Sequence, residues 1–413
     1  MIAPLSYGAL SAVSANTIKG NAPTVQNSRL GFKVNGESFS VALGNIDPSV
    51  AKEFDAGLSF SHFTIINLTD ADYYDADGDV AHPTTSLTTG TKSVKWYDGN
   101  GTEITDTNKL LGCGTNYSLP LTLKIKIQDV QVHSKYGNPR DSVPTALEQS
   151  YKIMPTQGIC FAKPGALVVF SSSPIRHPTK GGGHTADFDP ANGFKANPTV
   201  SSVKFPTTAF PGARFQLKMT GSQTDWNYSV ITNPNNAVTV DPINGWVTIN
   251  NKPTGAIKVR ATSKSSSSTY FDYTFEPTKL WAVPKVGTAN YANSITKCGV
   301  ESKVLSREQW TNSPKSLVTP SDWIVGNSYT TRAIGKIQVI DAQGNMTTFN
   351  ESLTGEWGYL GNNNYPDSSW VHHWHWTREA YSSNEQFAVL SGGGDINFVS
   401  SIHVTSYYIA CLE

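Results

Sequence analysis

The chain has 413 residues, and at ~100 to 200 residues per domain that length predicts several folded units, with three as the working number. Lys plus Arg and Asp plus Glu balance at 32 each, so no global field draws the chain to nucleic acid or to anionic lipid. With 38% hydrophobic residues but 34 Gly and 23 Pro, the sequence can bury cores while interrupting them with turns, which favours short strands over long helices.

Residues 1–24 read as an N-terminal linker. The run IAPLSYGALSAVSA is mildly apolar but has no positive n-region and carries an early proline, and no stretch approaches the ~18 to 20 apolar residues of a membrane helix. Residues 25–170 read as a β-rich module. Phe32 and Val34, then Leu121, Leu123, Ile125 and Ile127, alternate with polar residues, and SVKWYDGNGTEIT places an Asp-Gly-Asn-Gly turn between two strand-like flanks. The acidic run DADYYDADGD aims Asp75, Asp77 and Asp79 as a weak calcium candidate. Ser86 stands where an EF-hand would carry Glu, and the alternative is a solvated Asp-Gly turn.

Residues 171–199, rich in Gly, Pro and Ser, read as a linker or long loop. From 200 to 279 the chain carries seven short alternating segments, beginning at Val203 and Phe205 and ending at Phe271 to Phe275, with turns such as Asp241 to Gly245 between them. That spacing predicts an immunoglobulin-like sandwich. Residues 280–413 hold the helical signals: Thr288 as cap of a helix through Lys297, and Ser306 with Gln309 as a capping box for a helix over Arg307 to Asn312. IGKIQVIDAQGNMTTF predicts a hairpin and SIHVTSYYIACLE a final strand, giving an α+β domain.

Four cysteines allow three pairings. The composition break near 171–200 separates the first two from the last two and predicts Cys113 with Cys160 and Cys298 with Cys411. Loop closure by the first bridge is worth about 3 to 4 kcal/mol. Persistent disulfides place the chain in the periplasm or outside the cell.

The segment Gly355 to Trp376 is the most unusual in the chain, with Trp357, Tyr359, Tyr365, Trp370, Trp374 and Trp376 in a polar, turn-forming frame. Exposed aromatics supply rigid contact area, so Tyr359, Asn362, Asn363, Asn364, Asp367 and Trp370 are candidate contact residues, whereas Trp374 and Trp376 alternate as strand core. Of His372, His373 and His375 only the last two share a strand face, and no third ligand follows at a recognisable spacing. Nucleophile-elbow, zincin, P-loop and dinucleotide motifs are missing, and Gly181 to His184 opens no helix, so the chain reads as a non-enzyme without cofactor.

DPINGWVTINNKPTGAIKVRATS followed by LWAV, KCGVESKVLSREQW, LTGEWGYL, WHWTREAYSS and YYIACLE resembles the tip of the intimin and invasin family across roughly residues 200 to 413. DADGDVAHPTT, KWYDGNGTEI and PTQGICFAKPG are similar to an extra adhesion module of some enterobacterial intimin homologues. The resemblance implies the extracellular passenger of an inverse autotransporter, anchored by an outer-membrane β-barrel absent from this chain and ending in a C-type-lectin-like domain. It implies adhesion to a host-cell surface receptor, a protein rather than a glycan because the sugar-chelating Glu-Pro-Asn and Trp-Asn-Asp tripeptides are missing. A sugar-binding surface lectin and a self-associating biofilm component are the alternatives. Family members that bind integrins make Asp322 a further position to test.

Overall fold

The computed structural model describes residues 19–169, 175–177, 181–312, 330–340 and 346–413. It is mainly β and divides into two compact units, one of Met1–Phe54, Leu58–Lys109 and Ser118–Met154, the other of Asp55–Gly57, Leu110–Tyr117 and Pro155–Glu413.

The first unit is built on the long antiparallel pair Leu121–Val132 and Thr145–Pro155, extended by Lys92–Tyr97 and Glu103–Ile104 on one side and Lys52–Phe54 on the other. Side chains alternate across a strand, and Leu121, Leu123, Ile125 and Ile127 are all fully buried on one face. A smaller sheet of Glu37–Ser40, Gly31–Val34 and Thr64–Ile65 supplies Phe32, which meets Tyr151 edge-on at 5.4 Å. The Asp-Gly-Asn-Gly hairpin forms as expected: Trp96 pairs with Ile104, and the Asp98 carboxylate accepts the N–H groups of Asn100 and Thr102.

The second unit begins with an immunoglobulin-like sandwich. One sheet runs Phe188–Asp189, Gly193–Lys195, Ile159–Pro164, Ala213–Met219, Trp246–Ile249 and Val238–Val240; the other runs Trp226–Thr232, Ile257–Ser263 and Tyr270–Phe275. Their inner faces share one core, with Phe215 of the first sheet edge-on to Phe275 of the second at 5.2 Å.

Two boundaries differ from the sequence reading. The sandwich takes in Ile159–Pro164, which reads locally as the end of the first module, and Phe188 and Phe194, which lie inside the expected linker but are buried in the core. The expected strand at Val203 and Phe205 does not form, because the neighbouring backbone is committed elsewhere. The Asp187 carboxylate accepts the N–H groups of Thr199 at 2.5 Å, Val200 at 3.0 Å and Ser201 at 2.7 Å, and these donors are unavailable to a sheet. Val203 is left 46% exposed.

The α+β domain carries a sheet in the order Thr208–Ala209, Leu280–Ala289, Tyr407–Leu412, Trp374–Ala380, Glu385–Leu390 and Ile396–Ser400. Its first strand comes from the sandwich segment and pairs in parallel, Thr208 with Leu280 and Ala209 with Trp281. The helix Tyr291–Cys298 is capped by Asn290 rather than Thr288, with the Asn293 N–H donated to the Asn290 side chain. Arg307–Trp310 has the Ser306 and Gln309 capping box and ends two residues sooner than expected. Ile337–Ile340 and Met346–Phe349 pair as the expected hairpin, whose turn lies outside the described residues.

Cys113 bonds Cys160 and Cys298 bonds Cys411, with Cα separations of 5.5 and 5.4 Å. The first bridge belongs wholly to the second unit, because Leu110–Tyr117 crosses into it, rather than stapling the first module. The second ties the end of the Tyr291–Cys298 helix to the last strand.

Candidate functional site

Ser352 caps the short helix Leu353–Trp357 by accepting the Gly355 N–H, and Gly358 ends it at φ +69. A Cβ at Gly358 would lie 1.9 Å from an Arg332 guanidinium nitrogen, so glycine is required there for space as well as for conformation. The chain then turns through 361–369, closed by the Tyr365 N–H to the Gly361 carbonyl at 2.9 Å.

The candidate contact residues separate by burial. Asn362, Asn363 and Asp367 are exposed, and Tyr359 and Asn364 are half-buried. Trp370 is only 1% exposed and corrects the sequence reading: it packs among Phe210 at 5.6 Å, Trp310 at 5.2 Å and His375 at 5.5 Å. Its polar neighbours in sequence gave no sign of partners 160 and 60 residues away. Trp376 is fully buried as expected of strand core, but Trp374 is only half-buried and His375 between them is buried as well, so both faces of this strand are covered at that point. Asp322 lies outside the described residues.

The loop rests on the sandwich. Arg214 donates its Nε–H to the Asn364 carbonyl at 3.2 Å, and Asn364 donates its amide to the Tyr359 carbonyl at 3.1 Å. Gly165 and Gly212 make room, since a Cβ on either would lie 2.4 Å from the backbone of Asn364 or Asp367 respectively. Beside the loop sits a buried carboxyl group that the sequence reading missed. Glu356 is fully buried in the Leu353–Trp357 helix and accepts from the N–H and hydroxyl of Thr207, the N–H and hydroxyl of Thr208, and the N–H of Gly335. Burial pushes its carboxyl up while those hydrogen bonds pull it back. Arg332, also fully buried, donates to the carbonyls of Ala166 and Glu356 at 3.2 and 3.1 Å and lies over the Phe188 ring at 4.5 Å. Burial lowers its pKa to about 10.

Of the three histidines, His375 is buried between Trp310 and Tyr408, and burial pushes its pKa down to about 3, so it is neutral at physiological pH. His372 is exposed, and its ring lies 4.5 Å from that of Tyr359. The calcium candidate does not assemble. Asp75 accepts the N–H groups of Asp77 and Asp79, and Asp77 is taken by the backbone and side-chain amides of Asn21. Among the described residues no group of three or more His, Cys, Asp or Glu is placed to hold a metal.

Residues 190–275 match the family described as invasin, domain 4. Among solved structures, the chain is similar to invasin, a bacterial integrin-binding protein, at 16% identity and a TM-score of 0.39 over 94% of this chain and 60% of that one. It is also similar to a C-terminal 282-residue intimin fragment solved with the intimin-binding domain of the translocated intimin receptor, at 13% identity and a TM-score of 0.36 over 85% of this chain and 92% of that one. A third is an intimin mutant from EHEC O157:H7, at 17% identity and a TM-score of 0.32 over 55% of this chain and 93% of that one. The chain thus spans about 60% of the length of the invasin it resembles. No curated protein matches it. At these scores the overlap with the solved structures carries no argument, and what stands is the match of residues 190–275 to invasin domain 4.

Proposed function

We propose that this chain is the passenger tip of an inverse autotransporter adhesin displayed on a bacterial surface. Its α+β domain, read as C-type-lectin-like, binds a protein receptor on a host cell. The observation that carries the reading is the invasin domain 4 match at 190–275, which runs without a break into a domain closed by Cys298 and Cys411. The strand Thr208–Ala209 lies inside the matched segment yet pairs in the sheet of the next domain. Invasin is described as integrin-binding and intimin as bound to the translocated intimin receptor, and both partners are proteins. Asn362, Asn363 and Asp367, exposed on a loop that the sandwich supports, are the contact residues of first choice, with Tyr359 and Asn364 beside them.

The test is binding of the fluorescently labelled chain to epithelial cells, untreated or treated with protease or with glycosidases. Saturable binding that protease abolishes and glycosidases leave intact is expected, with a loss of at least tenfold in affinity for the combined Asn362→Ala, Asn363→Ala and Asp367→Ala variant. Loss on glycosidase treatment would favour a glycan ligand instead. Unchanged binding by the triple variant would remove the loop as the contact surface, and non-saturable binding by the parent chain would remove the adhesin reading.

A further inference from the structure

Beside the exposed asparagines lies a second feature with chemistry of its own. The Tyr359 and His372 rings stack at 4.5 Å, tilted by 44°, with His372 exposed to solvent. Gly392 closes against this pair: a Cβ there would lie 2.4 Å from His372 Nε2 and 2.8 Å from the Tyr359 ring. Three segments are knitted around it. The Leu360 N–H donates to the Ser391 carbonyl, the His373 N–H donates to the Ser391 hydroxyl, and that hydroxyl donates to the Val371 carbonyl. The turn that carries Gly392 is itself closed by two hydrogen bonds of 2.8 Å, from the Leu390 N–H to the Asp395 carbonyl and from the Gly394 N–H to the Leu390 carbonyl.

That turn ends in Asp395, whose side chain is half-buried and makes no hydrogen bond or ion pair among the described residues. A partly desolvated carboxylate without a hydrogen-bond partner is unfavourable. Burial raises the Asp395 pKa, and the one charge that opposes this is that of His372. The fully buried Asp187 and Glu356 of the same unit are engaged by contrast: Asp187 takes backbone N–H groups and Glu356 takes five donors.

We infer that Asp395 and the Tyr359–His372 stack form a subsite for a basic side chain of a partner protein, an arginine in preference to a lysine. The carboxylate would accept the guanidinium while the exposed imidazole offers the flat surface on which that group stacks. Arginine suits the site because its planar, weakly hydrated guanidinium both forks onto a carboxylate and lies on a ring, whereas an ammonium does only the first. This names the chemistry of the receptor's contact, and as a statement about a receptor it rests on the adhesin reading; as a site on this chain it does not.

The test uses the full chain with its histidines labelled with carbon-13, titrated with capped Gly-Arg-Gly peptide and with the same peptide carrying neutral citrulline. The His372 ring signal is expected to move saturably with the arginine peptide and at least tenfold more weakly with citrulline. Asp395→Asn should abolish the difference, and Tyr359→Leu should weaken arginine binding. Equal responses to the two peptides, or none to either, would overturn the subsite on the wild-type chain alone, whatever the variants do. Unchanged discrimination in Asp395→Asn would overturn the role of the carboxylate. Cell binding read on the same samples separates the two claims. Arginine selectivity without saturable cell binding sinks the adhesin reading and leaves the subsite standing, and saturable cell binding without selectivity does the reverse.

Discussion

Replacing Glu356 by Gln tests a buried side chain of the second unit that accepts from five donors. The carboxylate presents Oε2 to the Thr208 N–H at 2.9 Å and hydroxyl at 2.7 Å, and Oε1 to the Gly335 N–H at 3.0 Å and the Thr207 hydroxyl at 2.6 Å; the Thr207 N–H reaches both oxygens. Glutamine keeps one oxygen and turns the other position into a donor. The threonine hydroxyls can rotate to accept from it, but a backbone N–H cannot, so one buried N–H, that of Thr208 or of Gly335, loses its partner. An orphaned buried donor costs about 1 to 3 kcal/mol, and the same change removes the Glu356 carboxyl, whose electrostatic effect favours the charged form of the buried Arg332. The expected loss is therefore ~2 to 4 kcal/mol for Gln, and ~3 to 5 kcal/mol for Ala, which removes every acceptor. Urea unfolding followed by tryptophan fluorescence suits the measurement, since Trp96 is the one tryptophan before residue 155 among the ten in the chain. Amide exchange at Thr207, Thr208 and Gly335 should speed up in the variant. A Gln variant within about 0.5 kcal/mol of the parent would refute the reasoning, because that is the range of ordinary surface substitutions. A destabilised variant whose three amides keep their protection would show that Glu356 acts by some other route.

Two further predictions use the same unfolding assay. His375 has a folded pKa of about 3 against an ordinary 6.5, so the unfolded state binds the extra proton and stability is lost as the pH drops from 6.5 to 3. His375→Phe should lose the acid-dependent part, on the order of 3 to 5 kcal/mol between pH 6.5 and 3, and parallel pH curves for the two proteins would show that the imidazole is not held neutral. Trp370→Ala should cost about 3 to 5 kcal/mol as a large buried aromatic, while Asn362→Ala and Asp367→Ala should stay within about 0.5 kcal/mol; a Trp370→Ala protein as stable as its parent would mean the ring is not core.

What the sequence made legible was what is local. The alternation at Leu121 to Ile127 shows one apolar face because side-chain direction in a strand is set by the backbone alone, and the Ser306 to Gln309 capping box is a contact between residues three apart. The failures are equally physical. Ile159–Pro164 hides its strand character behind a bulge between Ile159 and Phe161 and behind a cysteine and a proline, so its alternation is broken where the sandwich begins. Phe188 and Phe194 sit in a Gly- and Pro-rich run whose composition argues for a linker, and their burial is decided by Phe205 and the sheet they join. Trp370 and Glu356 were misread or overlooked for one reason. Burial of a side chain depends on partners brought from far along the chain, and for Glu356 two of those partners, Thr207 and Thr208, lie 149 and 148 residues away.

The arrangement also bears on whether such a loop is suited to the contact role proposed for it. A loop that must be ordered on binding loses affinity to the entropy of ordering, so exposed side chains are most useful where their backbone is already fixed. Here the fixing comes from the sandwich: Arg214 holds the Asn364 carbonyl, and the bare Cα of Gly212, at φ +81, lies directly against the backbone of Asp367. Tyr365, fully buried and edge-on to Phe210 at 5.2 Å, anchors the loop between those two points and accepts the Ala166 N–H on its hydroxyl. Asn362, Asn363 and Asp367 therefore project from a backbone whose position is set by residues about 150 to 200 positions earlier in the chain. On this footing the immunoglobulin-like domain sets the position of the proposed contact loop. Trp357, Tyr365 and Trp370 are the loop's foundation, and the exposed Asn362, Asn363 and Asp367 are the positions the proposal tests.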